Sequence, residues 1–65
     1  MYIVVVEDNL KIRNANIYDN LLGVRFALKK YRPEYGFSVM IFVLDPEEGL
    51  YVEINPEDLD YYEQK

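Results

Sequence analysis

The sequence predicts one α+β domain: a small antiparallel sheet of three to four strands with one long helix across a face and a short C-terminal helix, in the order β(β)αββα. Three observations lead there. Strand-like runs occupy residues 2–6, 37–44 and 50–54, helical spacing of apolar residues extends from Ile17 to Tyr31, and a helix start of high quality lies at Asn55-Pro56-Glu57-Asp58. With 65 residues the chain forms a single domain, 1–65, that buries roughly 60% of the surface its unfolded form exposes, so its own core is marginal. It contains no cysteine, which removes disulfides and thiolate metal sites as sources of extra stability and leaves oligomerisation as the usual remaining one.

Tyr2 to Val6 is a β-branched run expected to form a strand with both faces covered. After the polar Glu7-Asp8-Asn9, Leu10-Lys11-Ile12-Arg13 alternates apolar with basic and reads as a second strand completing a hairpin. Asn16 is the expected N-cap of the long helix, with Asp19 at its third position near the positive end of the dipole. Ile17, Leu21, Val24, Leu28 and Tyr31 recur at spacings of four, three, four and three, which sets them on one core-facing stripe. The helix is expected to stop at Arg32, because the residue before Pro33 is pushed out of helical geometry.

Phe37 to Leu44 is apolar except at Ser38, the pattern of a central strand covered on both sides. Asp45-Pro46-Glu47-Glu48-Gly49 supplies a turn, and Leu50-Tyr51-Val52-Glu53-Ile54 alternates, with Leu50, Val52 and Ile54 pointing inward. The asparagine, proline and two carboxylates from Asn55 to Asp58 then open the C-terminal helix.

The long helix carries more apolar surface than one stripe. Tyr18, Leu22 and Phe26 line up on a second side, bordered by Arg25 and Lys29, as charges border an interface patch. The 37–44 run likewise has more apolar side chains than one covered face requires. One way to hide this surface is a C-terminal helix folded back, with Leu59, Tyr61 or Tyr62 against the second stripe and Glu57, Asp58 and Asp60 meeting Arg25, Lys29 and Lys30. The other is contact with a second subunit or a different protein.

Charge is polarised along the chain. Residues 1–33 hold six basic and three acidic side chains, whereas residues 34–65 hold nine acidic side chains and one lysine, for a net charge of −5. Such a chain neutralises itself on folding or presents an acidic face to a basic partner.

Histidine, cysteine, tryptophan and threonine are absent, and Ser38 is the only serine, so no Ser-His-acid or Cys-His arrangement exists. Glycines at 23, 36 and 49 are isolated and form no phosphate-binding loop, while Asp45, Glu47 and Glu48 match no EF-hand spacing. Gly23 inside a helix is either a close backbone approach or chance. No enzyme, cofactor or metal site is expected.

The expected function is a non-enzymatic protein-binding module, such as a small acidic inhibitor, adaptor or regulatory protein, acting as a homodimer. The residues singled out for partner binding are Tyr18, Leu22, Arg25, Phe26, Lys29, Tyr51, Glu53, Asp58, Asp60, Tyr61 and Tyr62, a mixture of rigid aromatic area and charge. An alternative is nucleic-acid binding through Arg25, Lys29, Lys30 and Arg32, against which the negative net charge works. A remoter one is a carboxylate-based enzyme assembled across a dimer. No apolar run approaches the ~20 residues of a membrane span, and no basic stretch with a small-residue cleavage site marks a signal peptide, so a cytoplasmic location is expected. The small, acidic, cysteine-free character suggests a viral or mobile-element source.

Overall fold

The computed structural model describes residues 1–63. Strand β1 (Tyr2–Glu7) turns into β2 (Arg13–Tyr18), helix α1 (Leu21–Lys30) crosses the sheet, and β3 (Ser38–Asp45) turns into β4 (Leu50–Ile54) before the short helix α2 (Leu59–Glu63). Single 3₁₀ turns at Pro33–Tyr35 and Pro56–Asp58 lead into β3 and α2. All pairings are antiparallel, and the spatial order β2-β1-β3-β4 sets the two hairpins side by side. The architecture is the expected α+β one.

The first hairpin differs from the expectation. Residues 10–12 form a loop, and the second strand begins at Arg13, where the sequence pattern would end it. The Asp8 side chain decides this: its Oδ1 accepts the backbone N–H groups of Leu10 (2.9 Å) and Ile12 (3.0 Å), closing the loop, while Lys11 adopts a left-handed φ of 67°. A side chain that satisfies nearby backbone donors competes directly with a sheet ladder. Displaced downstream, β2 pairs Ile17 with Ile3 and Arg13 with Glu7.

The helix is correspondingly shorter. Its N-cap is Asn20, whose side chain accepts the Gly23 N–H at 3.2 Å; Asn16 lies within β2, and no acidic residue occupies the first turn of α1. Ile17 therefore leaves the core stripe and is 65% exposed on a strand. Leu21, Val24 and Ala27 are buried, with Leu28 and Tyr31 packed beside them. At the other end α1 stops at Lys30, and the Tyr31 N–H donates to the Ala27 carbonyl.

The core lies between the sheet and the two helices. Val4 and Val6 of β1, Ile41 and Val43 of β3, Ile54 of β4, the three α1 residues and Leu59 of α2 are the buried side chains, and β2 contributes none. Leu59 is 1% exposed, so the C-terminal segment folds back, but into the main core and not onto the second helical stripe, whose Leu22 and Phe26 stay exposed. Asn55 and Asp58 hold that turn as a capping box, the Asp58 carboxylate accepting the Asn55 N–H at 3.3 Å. Opposite residues in an antiparallel ladder share a face, so Leu50 and Val52 lie on the helix side with Ile54, yet both are exposed beyond the helices.

Gly23 has a structural reason. A Cβ there would collide with the ring of Tyr18, which leans from β2 against the helix. The missing side chain allows the end of β2 to lie close to the first turn of α1.

Candidate interaction surface

The strand registers place a second set of side chains on the face away from the helices. Ile3 and Val5 of β1, Ala15 and Ile17 of β2, and Met40, Phe42 and Leu44 of β3 stand there, with Tyr51 on β4. The expectation that the 2–6 and 37–44 runs are covered on both sides is corrected: each is covered by helix on one side only. Ser38, expected within a buried run, is exposed at the end of the open face. Ile3, Val5, Phe42 and Leu44 are half-buried by strand neighbours, whereas Ile17, Met40 and Tyr51 are more open.

Strand β2 shows that this face is apolar by pattern. Asn14, Asn16 and Tyr18 share the side of Val4, toward the helix layer, while Ala15 and Ile17 face the open side. An edge strand whose second face met only water would show the opposite polarity. Among the described strand residues, three charges lie on the face. Glu7 and Arg13 form a cross-strand pair at 3.1 Å, and Glu53 stands on the far edge strand.

A second apolar surface lies on the outer side of α1. Leu22 and Phe26 are 69% and 71% exposed, and a shallow concavity of about 370 Å³ runs beside them, lined by Tyr18, Gly23, Lys30 and Tyr31 among others. Tyr18 is half-buried and belongs to β2, so the expected three-residue helical stripe becomes two helical residues beside a strand tyrosine. Lys29 is exposed near the helix end.

The structure joins some of the sequence-selected residues and separates others. Arg25 donates to Asp60 at 2.7 Å, tying α1 to α2, and Asp58 is engaged in the capping box. Tyr62 packs against the core and meets the exposed Tyr61 ring edge-on at 5.2 Å. Tyr51 and Glu53 lie apart from these, on the open sheet face. Ile3, Val5, Met40, Phe42 and Leu44 were not singled out, although the lack of alternation in two strand runs was their signal; Ile17, read as helical, carried no such signal.

Of the helix-end cations, Arg25 pairs with Asp60, Arg32 pairs with Glu34 at 3.3 Å, and Lys30 lies 5.2 Å from the centre of the Tyr31 ring. Asp45 Oδ1 accepts the Glu47 N–H at 2.9 Å, so this carboxylate shapes its own turn. Among the described residues, no group of three or more His, Cys, Asp or Glu side chains is placed to hold a metal ion, and no helix is long and apolar enough to cross a membrane. Comparison with family models, curated proteins and solved structures returns no match for this chain.

Proposed function

We propose that this protein is a protein-binding module, an inhibitor, adaptor or regulator, that works through contact surface and carries out no chemistry of its own. The observation that carries the reading is apolar exposure on both outer sides of a two-layer fold: Leu22 and Phe26 on the helix, and Ile17, Met40 and Tyr51 on the sheet. Monomeric soluble proteins rarely leave large contiguous apolar patches open, and such patches mark association sites. In this reading the module is a dimer, and the outer helix surface, with Tyr18 and Lys29 beside Leu22 and Phe26, meets a different protein. Tyr61 and the acidic α2 extend that surface on one side of Arg25. Arg25 and Arg32 are ion-paired within the chain and the net charge is −5, which favours a protein partner over nucleic acid.

The test is capture from the native cell on immobilised protein, comparing the unaltered chain with Leu22→Asp/Phe26→Asp. Both positions are solvent-exposed, so the double variant is expected to retain the native circular dichroism spectrum. It is expected to lose a partner that the unaltered chain retains through washing. Equal capture by both proteins would contradict the outer helix as the recognition surface.

A further inference from the structure

Resting on the reading of the chain as a contact module, we infer that the open sheet face is occupied by a second copy of the same chain, the two sheets crossing near 90° about a two-fold axis. Charge is the first argument. Each chain carries −5, so two copies repel unless they meet on a surface with little net charge. The open face is such a surface, because its Glu7 is paired with Arg13 and only Glu53 remains. Asp45 and Glu47 of the β3–β4 turn lie on the other side, with Val43 and Val52, and Asp60 pairs with Arg25 in the helix layer.

The placement of the charges is the second argument. Arg13 lies on edge strand β2 and Glu53 on edge strand β4, three strands across and two same-face residues along. Standard sheet spacings make these offsets about 14 Å across and about 13 Å along, so the line joining the two runs near 45° to the strands. A two-fold axis lying between the sheets and perpendicular to that line sets Arg13 of each copy over the partner's Glu53, twice over. It also turns the strands of one sheet almost at right angles to those of the other, one of the two preferred ways in which sheets pack face to face. Arg13 can keep Glu7 and gain Glu53, since a guanidinium has five N–H donors.

The same axis passes between Val5 and Met40, the neighbours at the middle of the face. It brings Phe42 over the partner's Ala15, a large side chain against a small one, as interdigitating layers require.

Analytical ultracentrifugation of the full chain and two charge variants at tens of micromolar tests this. The unaltered chain is expected at twice 7.8 kDa. Arg13→Glu and Glu53→Arg are each expected to weaken the dimer about a hundredfold, because symmetry applies each repulsion twice. Mixing the two variants is expected to restore the dimer, since both contacts then become attractive again. A monomeric unaltered chain, or variants that remain dimeric alone and unaffected by mixing, would overturn the inference, and the second outcome would place the dimer on a strand edge or on the helix. Should either variant fold poorly, the unaltered chain decides. Mixed-labelled protein is expected to show an intermolecular NMR contact between the Phe42 ring and the Ala15 methyl, and its absence from a dimer overturns the packing. An unaltered chain that is monomeric yet still shows Leu22/Phe26-dependent capture would sink this inference and the dimer within the proposed function, and leave partner binding by the outer helix surface standing.

Discussion

The two faces of the sheet carry similar side chains in different surroundings. Val4, Val6, Ile41, Val43 and Ile54 meet Leu21, Val24, Ala27 and Leu59 in a closed core, whereas Ile3, Val5, Ile17, Met40, Phe42 and Leu44, one residue along on the strands, have no second layer among the described residues. Strand hydrophobicity here exceeds what the helix-covered core takes up. The first set holds the monomer together. The second set is available for association, and on β2 even the polarity of the strand is turned toward it.

Paired substitutions separate these roles most sharply. Leu21→Ala or Leu59→Ala removes a buried side chain and should cost roughly 2–5 kcal/mol, comparable to the ~3–5 kcal/mol a core of this size supplies. Either is expected to unfold the isolated domain, read as loss of a cooperative thermal transition. Ile17→Ala on the open face should leave a folded chain, shifting stability at high dilution by less than about 0.5 kcal/mol as exposed positions do. A large loss at Ile17 in dilute protein would show that this face serves the monomer after all.

Smaller effects sharpen the comparison at the edges of the core. Gly23→Ala gains about 1 kcal/mol of helix propensity but forces the Tyr18 ring aside, at an overpacking cost of about 1–3 kcal/mol, so net destabilisation is expected in urea unfolding. Tyr18→Ala in the same background should turn the glycine substitution stabilising. Lys11→Gly should stabilise the first hairpin by about 0.5–1 kcal/mol, because a left-handed φ costs a side-chain-bearing residue about 1–2 kcal/mol and glycine repays part of that gain in entropy. The Arg25–Asp60 pair is largely solvent-exposed on the Asp60 side, so Asp60→Asn should change stability by less than about 1 kcal/mol, an effect that shrinks with added salt.

The two hairpins explain which parts of the fold were legible in the sequence. Both use an aspartate whose side chain accepts the N–H two residues on, Asp8 from Leu10 and Asp45 from Glu47, and both place a residue at positive φ before the returning strand. In the β3–β4 turn that residue is Gly49, three residues after Pro46, and the turn could be read directly. In the β1–β2 loop it is Lys11, flanked by Leu10 and Ile12, so the loop imitates an alternating strand. The misplacement then spread downstream, since Asn14 and Asn16 have low strand propensity and Asn16 resembles a cap. The register with β1 outweighed both signals, and Asn20 took the capping role. The apolar excess on the strands and helix was visible from residue spacing, but which strand residues form the open face depends on pairing register, and the misread β1–β2 loop hid the register of β2.

The most direct measurement of the central claim is the native mass of the unaltered chain beside that of Met40→Glu, at equal micromolar concentration and with circular dichroism recorded for both. Met40 is exposed in the single chain and lies at the middle of the open face. A dimer is expected for the first and a folded monomer for the second. Two proteins of identical mass and identical fold would contradict it.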